Sequence, residues 1–335
     1  MRFIALVTKR LVYLVPTLVG LVILVFLISN VVPADPAALA AGPFADQKQI
    51  EKIRQKYGFD KPLHVQLWMY LRRLAKGDLG ESLYTQRSIS WEMFNRFPAT
   101  LELTLVSLFV SVILGIPIGI FSAIRRNAWI DHVLRGITIA GLAIAAFWLG
   151  IELQLVFGYQ LDLFPITGRI TGAPPKEITG LYILDSILTW NGRALWSSLV
   201  HITLPAATLV FTAFATLVRF TRAGMLNALN SDYVLYERAM GMSHKMLIFK
   251  YVLRNAVTST IAQIGLLFGY LLAGSVVIER VFSWPGMGSF AVESILMMDY
   301  AAVLGVALWA GFAYAIGNLL VDIILGLVDP REATP

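Results

Sequence analysis

The stretch DYVLYERAMGMSHKMLIFKYVLRNA, Asp232 to Ala256, is charged and helix-like, and it lies between two apolar runs, Leu199–Val218 and Val257–Ile278. Each run reaches the roughly 18 to 20 apolar residues that cross a hydrocarbon core. Further out, the pattern repeats at Leu11–Val32, Leu101–Ile124, Val133–Phe157 and Val303–Val328. This spacing predicts an all-α membrane protein with six transmembrane helices, forming a single domain over all 335 residues. Composition agrees: 57% of the residues are hydrophobic and 14% charged, where a soluble domain is charged at roughly a quarter of its positions.

Arg2, Lys9 and Arg10 give the first run a basic start. The run is longer than the ~7 to 15 apolar residues of a signal-peptide core, so it is read as a retained span. Cysteine is absent, which excludes disulfides, iron–sulfur clusters and thiolate metal sites. With the N-terminus in the cytoplasm, Lys and Arg are nearly equal in total on the two sides. They are denser in the short inner segments, and most of the outer ones fall in one long loop that counts little. Both termini are therefore expected in the cytoplasm. The net charge of +6 reads as a membrane-orientation signal, with no nucleic acid as partner.

Three segments separate the spans. In 33–97, Pro33-Ala34-Asp35-Pro36 breaks the first helix. Ile50, Ile53 and Tyr57, then Val65, Leu67, Met69, Leu71 and Leu74, are spaced like short amphipathic helices. Gly58 and Gly77 are their expected stops, and the segment is expected to form a small extracytoplasmic cap. The 158–198 segment is too polar and too rich in Gly and Pro to cross lipid. It predicts an extracytoplasmic loop with an interfacial helix, Trp190 and Trp196 lying at headgroup level. The 223–256 segment is the expected cytoplasmic loop. Within the spans, Gly115 and Gly119 of GIPIG thin a helix that Pro117 deprives of a donor. Gly265 and Gly269 repeat the small-xxx-small spacing that permits close packing.

Signs of catalysis are missing. The chain has no G-x-x-x-x-G-K-[ST] phosphate loop and no H-E-x-x-H helix, and no G-x-S-x-G elbow. His64, His132, His201 and His244 are scattered. Ionisable groups within spans are costly and so mark candidate function; Glu152 and Asp322 are such candidates. Uncharged polar groups at span depth offer hydrogen bonds without fixed charge, suiting a route for a polar solute. The candidates for such a path are Ser107, Ser111, Glu152, Thr212, Gln263, Tyr270 and Ser275, with Thr208, Thr216 and Asn318 alongside. Single Ser and Thr residues also bond their own helix backbone.

In the charged stretch, Ser231 or Asp232 can cap a helix beginning at Tyr233. Gly241 can end it in a left-handed conformation, and Ser243 can cap a second. Some eight residues do not hold a helix in water, so something must receive it. Tyr233, Tyr236 and Met240 share a face suited to a partner groove. Arg238, Lys245, Lys250 and Arg254 suit an anionic membrane surface equally well.

The stretch resembles the cytoplasmic coupling loop of ABC-importer permease subunits, specifically the B-type subunits of the peptide/nickel (oligopeptide and dipeptide) permease family. The general importer motif E-A-A-x-x-x-G, then nine residues and I-x-L-P, matches only at Gly241 and Leu253. The peptide-permease variant also matches Ala239 and Leu253-Arg254-Asn255-Ala256, while Glu237 stands where that family commonly has a small residue. The likeness covers essentially the whole chain, through GFDKPLHVQLWMYL, KGDLGESL, FPATLELTL, GIPIG, FPITGR, LPAATL, FTRAGMLNALNSDYV, VIERVFSWPGMG and the closing DPR, in that order.

This resemblance implies a type I ABC-importer permease fold in a bacterial cytoplasmic (inner) membrane. It implies a second permease subunit as heterodimer partner, two ABC ATPase subunits and an extracytoplasmic solute-binding protein. ATP and magnesium would be bound by the ATPases, with no cofactor, metal or catalytic residue expected in this chain. Coupling would fall to Tyr233, Tyr236, Glu237, Arg238, Ala239, Met240 and Gly241. Glu279, Arg280, Trp284, Pro285 and Gly286 would gate the outer mouth or dock the binding protein. The implied solutes are peptides, with nickel chelates, glutathione or oligosaccharides as alternatives. A stand-alone carrier or channel is the reading of a different class.

Overall fold

The structure is a computed structural model and describes residues 12–13, 15–24, 26–27, 37–38, 45–58, 60–82, 85–297 and 299–328. Along the chain the helices are α1 (Val15–Leu24), α2 (Gln47–Tyr57), α3 (Leu63–Leu74), α4 (Ile89–Ile124), α5 (Trp129–Ala143) and α6 (Ala146–Leu153). They continue with α7 (Tyr182–Leu188), α8 (Gly192–Leu229), α9 (Asp232–Ala239), α10 (Leu253–Val281), α11 (Met287–Leu296) and α12 (Tyr300–Val328). No β-sheet occurs among the described residues.

Among the described residues, α4, α8, Thr260–Val281 of α10 and Ala301–Leu319 of α12 are long and apolar enough to cross a membrane. The pair α5 and α6, the latter continued by a π-helical stretch Gln154–Gln160, adds a fifth if counted as one span. The expected first span, Leu11–Val32, is described only in part, as α1. Pro33–Pro36 and the side chain of Asp322 lie outside the described residues.

The expected third span, Val133–Phe157, is not one straight helix. It breaks after Ala143, where Ile144 is extended (φ −76°, ψ 128°), and turns through 102°. Neither Pro nor Gly marks this break. Tertiary packing draws α6 against α8 and α10, so that a Cβ on Gly150 would lie 3.2 Å from Phe282 and 3.5 Å from Thr208. Two other spans begin earlier than their apolar runs. α4 starts at Ile89 and passes through Pro98, and α8 starts at Gly192 and passes through Pro205.

Helices in lipid gain little from hydrophobicity and associate through close backbone approach and hydrogen bonds. The α4–α8 crossing is built this way. A Cβ on Gly115 would stand 2.9 Å from that of Leu217, and one on Gly119 2.7 Å from that of Thr221. On the neighbouring face, a Cβ on Gly141 of α5 would lie 2.8 Å from that of Ala215. The glycines of GIPIG thus serve packing, and Gly269 likewise receives the ring of Tyr314 from α12. Above this crossing, Ala99, Leu103, Leu209, Leu217, Leu271, Ile278, Phe282 and Trp284 form the main apolar core.

The segment preceding α4 holds the two expected amphipathic helices. Asp46 and Gln49 form a capping box on α2, with Gln49 N–H donating to Asp46 Oδ1 at 2.7 Å. Gly58 ends α2 with φ +73°, and Gly77 is left-handed at +74°. Tyr70, Leu71 and Leu74 of α3 pack with Val22 of α1 and Leu308 of α12. The 158–198 loop contains α7, and Trp190 and Trp196 are both strongly exposed. Asp185 fastens this loop: its carboxylate accepts from the amides of Ile178, Thr179 and Gly180 and from the Thr179 hydroxyl, at 2.7 to 3.2 Å.

Two outcomes follow for stability. Gly119→Val should overpack the α4–α8 crossing and cost about 1 to 3 kcal/mol, whereas Gly136→Val, with no atom within 4 Å of its Cβ position, should cost no more than helix propensity dictates. Thermal unfolding of the two purified variants compares them, and equal losses would contradict the packing role. Burial raises the Asp185 carboxyl, but the hydrogen bonds from Thr179, Ile178 and Gly180 outweigh it and hold the group below its usual value. Its contribution is therefore complete above the unfolded carboxylate pKa of about 3.9 and lost as pH falls through the lower native value. Amide exchange at 178–180 should accelerate in that acid window, and in Asp185→Asn it should be fast throughout.

Candidate functional site

At one end of the bundle, α8 runs past its apolar stretch to Leu229, and the chain turns through Ser231 into α9. Val234 of α9 is buried with Ala123, Met225, Ala228, Leu247, Ile248, Val252 and Ala256. This small core anchors the short helix to the ends of α8 and α10. Its caps differ from those expected. Ser231 is the N-cap, but its hydroxyl donates to the Ala228 carbonyl at 2.5 Å and accepts nothing from α9. Asp232 is the first helical residue, and Ser243, N-cap of the single turn His244–Met246, makes no side-chain cap bond either.

The C-terminus of α9 matches its sequence reading. Gly241 has φ +80°, its N–H donates to the Arg238 carbonyl at 3.1 Å, and the Met242 N–H donates to the Glu237 carbonyl at 3.3 Å. These paired bonds close a Schellman motif, which needs a residue that tolerates the left-handed region. Beyond it the chain enters a π-helical stretch, Leu247–Val252, that leads directly into α10.

The expected face of Tyr233, Tyr236 and Met240 is divided. Tyr233 packs against the Val234 core, half-buried, because it follows the last turn of α8 at the inner side of α9. Tyr236 and Met240 are 64% and 66% exposed, and Leu235 and Phe249 join them. Arg238, Ala239, Gly241, Lys245 and Lys250 are also exposed, while Glu237 is half-buried. The segment thus offers an uncovered apolar patch bordered by cations.

At the other end, VIERVFSWPGMG is a buried knot. The Glu279 carboxylate, fully buried, accepts from Thr100 Oγ1 (2.7 Å), Ser275 Oγ (3.2 Å) and the amides of Gly288 (2.7 Å) and Ser289 (3.1 Å). A carboxyl group this deep is tolerated only when its oxygens are hydrogen-bonded. The Trp284 indole N–H donates to the Ala99 carbonyl at 2.9 Å, and a Cβ on Gly286 would run into Glu279 and Thr100. Glu279, Trp284 and Gly286 are therefore buried within the chain. Hydrogen bonding to α4 holds Glu279 and Trp284 inside. Arg280, Ser283 and Pro285 remain exposed.

Two buried ion pairs went unread in the sequence. Arg169, in FPITGR, donates to Glu102 of α4 through Nε (2.9 Å) and Nη2 (2.5 Å), and its Nη2 also donates to the Gly180 carbonyl at 2.8 Å. The Ile183 amide bonds the second Glu102 oxygen at 2.7 Å. Near α9, Arg222 donates to both oxygens of Asp131, at 2.8 and 2.9 Å. Glu102 is a single acid in an apolar run, the signal that identifies such a pin; Asp131 sits among charged residues in the turn between two runs and carries no such signal.

The expected path residues divide between buried and partly exposed positions. Ser107 and Ser111 are buried and donate to the carbonyls of Leu103 and Ser107, each at 2.7 Å. Thr208 bonds Leu204 in the same manner, and Ser275 bonds Leu272 as well as Glu279. Tyr270 is exposed, and Glu152, Thr212 and Gln263 are partly so. Among the described residues, no cluster of His, Asp and Glu forms a metal site.

Comparison with known proteins adds to this geometry. Residues 115–334 match the family model "Binding-protein-dependent transport system inner membrane component", and residues 1–104 match its N-terminal companion. The chain is 41% identical to the probable D,D-dipeptide transport system permease protein DdpB of Escherichia coli K12, covering 99% of this chain and 98% of that one. It is 37% identical to the glutathione permease GsiC of Salmonella choleraesuis, with 97% of each covered. To the dipeptide permease DppB of Alkalihalophilus pseudofirmus it is 34% identical, covering 96% of this chain and 97% of that one. Among solved structures, a chain of the inward-facing MetNI methionine ABC transporter matches with a TM-score of 0.52 and 16% identity, covering 71% of this chain and 97% of that chain. That match supports the all-helical fold. Family models covering nearly the whole chain, with full-length relatives above 30% identity, place this protein in the binding-protein-dependent transport system inner membrane component family.

Proposed function

We propose that this chain is the transmembrane permease subunit of an ATP-driven importer for peptides or closely related small solutes. It forms half of the translocation path and couples that path to a cytoplasmic ATPase. The observation that carries the coupling role is the uncovered apolar patch of Leu235, Tyr236 and Met240, positioned by left-handed Gly241. In this reading the patch enters a cleft on the ATPase, and the Val234 core passes its movement to α8 and α10. Both termini and the 223–256 loop face the cytoplasm, and the 33–97 and 158–198 segments face outward. A second permease completes the path, with Thr212, Gln263, Tyr270 and Glu152 as its candidate lining. Two ATPases supply ATP and magnesium chemistry, and a solute-binding protein docks near Arg280, Ser283 and Pro285. Relatives named for dipeptides and for glutathione support peptide-like solutes; nickel chelates and oligosaccharides are the alternatives.

Purification of the tagged chain from its own host should bring down two ATP-binding subunits and a second permease. A chain that arrives alone and moves solute in liposomes without ATP would overturn the assignment. Gly241, taken as the hinge between α9 and the stretch leading to α10, has a sharper test, since no atom lies within 4 Å of its Cβ position. Gly241→Val should act only through left-handed strain of about 1 to 2 kcal/mol. Solute-stimulated ATP hydrolysis in proteoliposomes should fall by about five- to thirtyfold or more with insertion intact, while Gly241→Asn, which tolerates this conformation, should stay near the parent. Normal stimulation in the valine variant would remove the hinge from the coupling mechanism.

A further inference from the structure

The turn joining α4 to α5 carries two cations that the transport reading leaves unused. Arg125 and Arg126 are both exposed, and neither meets a carboxylate among the described residues. Arg125 rests over the Phe121 ring, 5.0 Å from its centroid. The nearby acid, Asp131, is fully buried and engaged by Ser122 Oγ (2.6 Å), the Asn127 amide (3.0 Å), Arg222 (2.8 and 2.9 Å) and Arg135 (3.6 Å). His132 meets Arg135 at 2.8 Å. Two positive charges therefore face outward without internal compensation.

Apolar surface surrounds them. Trp129 is 73% exposed, and Phe121 and Ile124 at the end of α4, with Val133 and Ile137 along α5, are exposed beside it. Indoles collect at the boundary between headgroups and acyl chains. Guanidiniums bind phosphate oxygens in bidentate fashion while their stems lie along apolar surface. An acidic protein partner would match the two cations but not the apolar residues that continue from them. One phospholipid molecule matches both, with its phosphodiester at the arginines and its chains along Val133 and Ile137.

We propose that Arg125, Arg126 and Trp129 form a headgroup site for an anionic phospholipid. A zwitterionic lipid presents its own cation to the same pair and is disfavoured there. The inference rests on the chain lying in a bilayer, not on which way it faces or what it transports.

The test uses the complete transport complex in nanodiscs of equal phosphatidylglycerol and phosphatidylcholine. After transfer to mild detergent, co-purified lipid is quantified by mass spectrometry. A basic residue near an anionic surface favours binding by about fivefold, so the ratio of phosphatidylglycerol to phosphatidylcholine in the co-purified lipid should rise several-fold above the equal ratio of the bilayer. R125Q/R126Q should return the ratio to that of the bilayer, and W129A should lower it partway. R125K/R126K should keep most of the enrichment, as should K176Q, which removes an exposed charge in the 158–198 loop. Glycerol 3-phosphate added in solution should not strip the bound lipid. Equal lipid ratios in the parent would overturn the site, as would undiminished enrichment in R125Q/R126Q. So would displacement by glycerol 3-phosphate, or loss of a protein subunit from R125Q/R126Q with its lipid retained.

Discussion

The close passage of α4 across α8 is the constraint on which the other packing depends. Lipid offers apolar side chains as good a solvent as a neighbouring helix does, so helices hold together only where backbones approach or polar groups meet. Gly115 and Gly119 let α4 approach Leu217 and Thr221 of α8 closely, and Gly141 brings α5 onto the same helix. With α8 central, α6 bends to reach it, and α10 closes over the main core through Leu271, Ile278 and Phe282. The long central helix then projects beyond its apolar run and presents Met225 and Ala228 to the short α9.

Polar pins complete what close approach begins. Three carboxylates, Glu102, Asp131 and Glu279, are buried and each ties segments distant in sequence. Glu102 holds the 158–198 loop through Arg169 and the Ile183 amide. Asp131 joins the α4–α5 turn to α8 through Arg222. Glu279 collects donors from α4, α10 and the start of α11. Removing Arg169 or Arg222 would leave Glu102 or Asp131 as an uncompensated buried charge, a far larger loss than that of a surface pair. The knot and the loop meet at Trp284, whose indole bonds α4 while its ring lies 5.8 Å from the Arg169 guanidinium carbon.

Much of this was legible in the sequence because lipid enforces simple rules. Long apolar runs located α4, α8, α10 and α12, and glycines located the close crossing and the left-handed stop at Gly241. What escaped was tertiary in origin. The break at Ile144 has no local breaker and exists because α6 finds better packing across α8 and α10. Hydrogen-bond partners far apart in the chain hold Glu279 and Trp284 inside, and no local pattern names those partners. Ser107, Ser111 and Thr208 read as path groups, yet each satisfies itself on its own helix. Glu102 was visible as a lone acid in an apolar run, but its partner, Arg169, lies in a loop that periodicity does not describe.

The π-helical stretch Leu247–Val252 has a further consequence. Such a stretch is equivalent to an α-helix carrying an extra residue, and each residue advances a helix by about 100°. It therefore sets the rotational phase of α10 relative to α9, including the direction in which Leu266, Tyr270 and Val277 point. Two chains that differ by one residue in this stretch would align well by eye and carry the same motifs. They would nevertheless turn different faces of α10 toward whatever lies beside it.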